Sequence, residues 1–82
     1  MEESEMNKQR RKRLEEVTSR LEDCMADLEY IKEEEQEAYD NLPESLQYSE
    51  KGEQMQENVD DLDYAISDLD QVISSVNDII NK

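Results

Sequence analysis

The stretch VDDLDYAISDLDQVISSVNDII, residues 59–80, decides how this chain folds. Val59, Leu62, Ile66, Leu69, Ile73, Val76 and Ile80 recur at alternating spacings of three and four. On an α-helix that spacing holds all of them along one edge. In heptad notation Val59 is an a position and Leu62 a d position. Farther back, Leu14, Val17, Leu21, Cys24, Leu28 and Ile31 repeat the same spacing, with Leu14 at a and Cys24 at d. Two long helices that each carry one apolar edge can bury those edges against each other. The sequence therefore predicts an all-α fold, an antiparallel two-helix hairpin of coiled-coil type.

The segment between the edges supplies the reversal. The first helix is expected from about Ser4, a candidate N-cap, to Tyr39. The breaker follows at Asp40-Asn41-Leu42-Pro43. Asn41 with Glu44 reads as a capping box, with Pro43 in the first turn of a restarted helix. Gly52 weakens a continuous helix through this region by about 1 kcal/mol relative to alanine. Ser49 offers a second start just before it. The expected connection is residues 41–51 with one short helical turn at 43–48, and the main second helix runs from Glu50 to Asn81. One continuous helix from Pro43 is the rival. Register favours the first arrangement, since it sets Leu14 opposite Ile80, Leu21 opposite Ile73 and Leu28 opposite Ile66.

The second helix is apolar beyond its seam. Ala65, Val72 and Ile79 all fall at g and widen the stripe to three positions per heptad. That is wider than a two-stranded seam needs. Ala65, Val72 and Ile79 are therefore the expected oligomer interface, through which two hairpins would form a homodimeric four-helix bundle. Docking on a foreign partner is the alternative for the same edge. A chain of 82 residues with one cysteine and no histidine has no disulfide or usual zinc site to staple it, so association is the expected source of extra stability.

Charge sorts the partners. The chain holds 24 Asp and Glu against 9 Lys and Arg, a net charge of −15. Residues 1–13 form a basic extension of +2, with Lys8, Arg10, Arg11, Lys12 and Arg13 against three Glu. The acidic hairpin, residues 14–82, carries −17. Such a body repels bare nucleic acid and anionic membranes, and its natural partners are basic surfaces. With no apolar leader or membrane-spanning run and one free thiol, the expectation is a cytoplasmic protein.

Little in the sequence points to catalysis or to a cofactor. Histidine is absent, as is a glycine-rich phosphate loop. Cys24, at d between Leu21 and Leu28, reads as a small buried hydrophobe among acids that would raise its pKa. The carboxylate runs at residues 33–37 and 60–63 lie in helices, where neighbouring side chains fan apart by about 100°, so no metal is expected there. An enzyme is not expected. The features left for a partner are the acidic exterior of Asp60, Asp61, Asp63, Asp68 and Asp70 and the outward tyrosines Tyr30 and Tyr64. Aromatic side chains supply contact area at low entropic cost. This coat either binds a basic protein surface, as a mimic of phosphate spacing, or only keeps the chain soluble.

The linker AYDNLPESLQYSEKGE, residues 38–53, followed by the Asp-rich heptads, resembles small uncharacterised acidic helical proteins of bacteria and their phages. The resemblance implies a small phage or mobile-element inhibitor of host machinery, of the anti-defence, DNA-mimic kind. The alternative is a structural or assembly coiled-coil protein whose role is its own oligomerisation.

Overall fold

A computed structural model describes residues 7–82. Over these residues the fold is all-α and elongated, 66 × 16 × 12 Å, with three helices: α1 (Lys8–Asp40), α2 (Glu44–Gln47) and α3 (Glu50–Ile80). Helix α1 starts where Asn7 accepts hydrogen bonds from the backbone N–H of Gln9 (2.7 Å) and Arg10 (3.3 Å). These bonds satisfy donors that a helix start otherwise leaves unpaired. The expected cap at Ser4 lies outside the described residues.

The connection is built differently from the expected capping box. Asn41 closes α1 in the right-handed helical region, its N–H donating to Glu37 O (2.9 Å). Pro43, with φ −55° and ψ 145°, occupies the cap of α2, and no side chain caps that helix. The fixed proline φ and its missing N–H suit this position. The Gln47 side chain then reaches back, its Nε2 donating to Tyr39 O (3.2 Å) and Leu42 O (3.3 Å). This ties α2 to the end of α1. Ser49 caps α3, accepting from Gly52 N–H at 3.4 Å, while its own hydroxyl donates to Leu46 O.

Gly52 is the buried pivot of the reversal. A Cβ there would stand 2.6 Å from the Gln47 carbonyl carbon and 2.7 Å from Leu46 O. Only a residue without a side chain lets the end of α2 lie this close to the first turn of α3. The helical penalty of Gly52 is thus a packing requirement.

Helix α3 runs back along α1, and three side-chain links mark the register. Arg11 donates to Ile80 O at one end, Lys32 pairs with Asp63 at 2.6 Å midway, and Asn58 Nδ2 donates to Glu35 Oε2 at 2.9 Å near the reversal. Arg11 thereby supplies a cation to the carbonyl end of α3, where the helix dipole favours one. Part of the basic tract is therefore used within the fold. On α3 the expected seam packs inward: Val59 and Ile73 are buried, and Leu62, Ile66, Leu69, Val76 and Ile80 are half-buried.

On α1 the inward seam is rotated from the expected one. Leu14, Leu21 and Leu28 at a face α3, but their companions are the e residues Thr18, Met25 and Lys32. From Cys24 onward the d residues turn away. Val17 is half-buried, Cys24 is exposed and Ile31 is 48 % exposed. The expected burial of Cys24 is thus corrected. Met25 is half-buried where Cys24 is exposed, and the same rotation brings Lys32 within reach of Asp63. The rotation has a cost, because Thr18 is 7 % exposed and its hydroxyl has no hydrogen-bond partner.

Candidate interaction surface

The rotation of α1 leaves two apolar stripes uncovered. On α1 the stripe is Val17, which is half-buried, and the exposed Cys24 and Ile31, one per heptad. On α3 it is Ala65, Val72 and Ile79, of which Val72 is 48 % and Ile79 38 % exposed. Their relation follows from the links between the helices. Lys32 and Asp63, both at e, mark one flank of the α1–α3 pair. Asn58, one heptad before Ala65 in the g stripe, bonds Glu35 on the other flank. The d edge of α1 is turned away from Lys32 and toward that same second flank, because a lies between d and e on the wheel. Both stripes therefore share one face. At 1.5 Å per residue, Val17 to Ile31 alone spans about 21 Å.

One end of this face is concave. Arg10, Arg13, Leu14, Glu16, Val17 and Arg20, all on α1, line a shallow open hollow. The opposite end carries Asp27 and Glu34 on α1 and Asp61 and Asp68 on α3.

The acidic and aromatic residues expected to meet a partner are spread around the molecule. Tyr30, at c, points away from the seam on α1, and Tyr64, at f, points away from it on α3; both are exposed. They stand on opposite backs of the pair. Asp60, Asp63 and Asp70 lie toward the flank of the Lys32 link, and Asp61 and Asp68 toward the flank of the apolar face. All five are exposed. The structure brings Asp63 to Lys32 but does not gather the set on one surface.

Electrostatic pairing is sparse. Lys32–Asp63 is the one ion pair within 4 Å among the described residues. Its hydrogen bond to Asp63 raises the Lys32 pKa above the usual lysine value, with the charges of Asp63, Glu29 and Glu33 adding to the effect. Among the described residues no group of three metal-ligating side chains is gathered, the two carboxylate runs included. No helix among them is long and apolar enough to cross a membrane.

Residues 12–27 match the family model of the CAP N-terminal conserved motif (CAP_N-CM). The matched segment, KRLEEVTSRLEDCMAD, lies wholly in α1. It contains Arg-Leu-Glu twice, at residues 13–15 and 20–22, one heptad apart. It also carries Val17, which is half-buried, and the exposed Cys24, the first two residues of the α1 d stripe. Comparison with curated proteins and with solved structures gives no match. The family match corrects the resemblance drawn from residues 38–53. The recognisable segment is in α1 and fits a named, characterised motif, not the uncharacterised acidic proteins of bacteria and phages. The features that made the linker distinctive, Pro43, Ser49 and Gly52, are accounted for by local capping and close packing.

Proposed function

We propose that this chain is a non-enzymatic protein-interaction module, that α1 and α3 work as an antiparallel hairpin, and that two hairpins pair into a four-helix bundle. The observation that carries this reading is the face holding Ile31, Val72 and Ile79, which are large apolar side chains left in water along one flank. Covering such a stripe is favourable by about 25 cal/mol per Å² of apolar surface removed from water. No element among the described residues covers it. The exposed thiol of Cys24 suits a reducing cytoplasm.

The test is to place charge on the stripe and leave the seam intact. Replacing Val72 and Ile79 together with Glu is expected to halve the mass measured by sedimentation equilibrium at tens of micromolar, with helicity by circular dichroism largely kept. A wild-type chain that already sediments as a single copy at that concentration contradicts the reading.

A second reading has its own support. With so few ion pairs, the carboxylates of α3 remain free to engage a basic protein surface, such as one that binds nucleic acid. The separation of Tyr30 from Tyr64 limits that surface to one helix at a time. Salt separates the two readings, since electrostatic capture fades steeply with ionic strength and apolar association does not.

A further inference from the structure

The uncovered face is polar in its charge, and that polarity selects how a second copy would lie on it. Four α1 residues, Arg13, Arg20, Asp27 and Glu34, occupy the g positions of successive heptads. They project beside the stripe of Val17, Cys24 and Ile31 and form its outer rim. Two cations stand at one end and two anions at the other. The corresponding rim on α3 runs Asp61, Asp68, Ser75 and Lys82. In the antiparallel register, Asp61 and Asp68 lie at the level of Glu34 and Asp27. Both rims are therefore acidic at the end near the reversal.

Two copies can meet face to face about a two-fold axis in two ways. In the first, the axis runs along the helices. Each α1 then covers the other copy's α3, like ends coincide, and Asp27 and Glu34 are set against Asp68 and Asp61. In the second, the axis crosses the helices, so each α1 covers the α1 of the other copy with ends reversed. A crossing point at Cys24 then matches every α1 feature. Arg13 meets Glu34 of the second copy, Arg20 meets Asp27, Val17 meets Ile31, and Cys24 meets itself. Ile31, a knob 48 % exposed, would enter the hollow that Leu14 and Val17 help to line. Pairing of g with g is also the geometry that antiparallel helices produce.

We infer that the face formed by Val17, Cys24, Ile31, Ala65, Val72 and Ile79 takes a second copy of this chain in the end-reversed orientation, fixed by the rim pairs Arg13–Glu34 and Arg20–Asp27. This rests on the self-association reading above and adds to it the orientation and the residues that select it. The charges contribute selection more than affinity, because each rim pair is solvent-exposed and like-charge juxtaposition is what excludes the wrong arrangement.

The two arrangements predict opposite signs for one variant. Replacing Asp27 and Glu34 together with Arg sets cation against cation in the end-reversed pair. Self-association, measured by sedimentation equilibrium in low salt, is then expected to weaken by about tenfold or more, less so in high salt. In the like-ended pair the same variant would face Asp68 and Asp61 and associate more tightly. Adding Arg13→Glu and Arg20→Glu to that variant reverses the whole rim and is expected to restore association to near the wild-type level. Tighter association of the double variant overturns the inference, as does failure of the fourfold variant to recover while circular dichroism shows it helical. If neither charge variant changes association but Val72→Glu with Ile79→Glu abolishes it, the orientation is wrong and self-association stands. A wild-type chain that never associates overturns both.

Discussion

Gly52→Ala will destabilise the chain by about 1–3 kcal/mol, the usual cost of forcing an extra carbon into a closely packed site. Helix propensity alone predicts the opposite, a gain of about 1 kcal/mol for removing a glycine from a helix. The two effects differ in sign, and geometry decides between them. The new Cβ would stand 2.6 Å from the Gln47 carbonyl carbon, which is backbone and cannot swing aside. Nor can α2 retreat freely, because Gln47 is held by Tyr39 O and Leu42 O. For a chain of this size each kcal/mol lowers the melting temperature by about 4–8 °C. Thermal unfolding followed by circular dichroism checks the result. An unchanged or higher melting temperature would show that α2 does not seat on α3 as described.

Ile73→Ala will cost about 2–5 kcal/mol, whereas Ile31→Ala will cost the fold of a single chain about 0.5 kcal/mol or less. Both residues lie on apolar edges of the same heptad type, and both substitutions delete the same atoms. They differ in burial: Ile73 is 5 % exposed and Ile31 48 %. In a chain with so small a core, the Ile73 variant will be largely unfolded. Urea titration at concentrations low enough for the chain to be single measures the contrast. Equal costs would restore the unrotated a/d seam on α1 and remove the exposed stripe. Ile31→Ala is also expected to weaken self-association, which separates its surface role from that of Ile73.

The seam of α3 was legible because its a and d positions carry the large residues Val59, Leu62, Ile66, Leu69, Ile73, Val76 and Ile80, whereas the g stripe begins with the small Ala65. The start of α3 was legible too, since Ser49 stands directly before Glu50 and its side chain caps the helix as expected. The face of α1 was not legible. There d offers Val17, Cys24 and Ile31, and e offers Thr18, Met25 and Lys32, so periodicity alone leaves two rotations open. The half-burial of Met25 and the reach of Lys32 to Asp63 decide between them, and both depend on what α3 presents. Gly52 was legible as a mark of the helix break but not as a packing requirement, because a one-dimensional scale counts its missing side chain only as lost helix propensity. Its isolation as the single glycine, just after a proline-led turn, was the available signal. The charge order along g of α1, Arg13, Arg20, Asp27 and Glu34, was present in the sequence too. It acquires meaning only once the d stripe beside it is known to be open.

The face around Cys24 is open in one chain, and the proposal is that a second copy covers it. Cys24 is the chain's single cysteine and is exposed, so its thiol reports on that face without any substitution. The measurement is the rate at which Cys24 reacts with a bulky thiol reagent as protein concentration rises from nanomolar to hundreds of micromolar. Reaction at the rate of a free exposed thiol is expected at the dilute end, with a steep slowing as copies associate. A rate that is slow throughout would mean Cys24 is buried within the single chain, and a rate that is fast throughout would mean nothing covers the face; either result rules out an open face that a second copy covers.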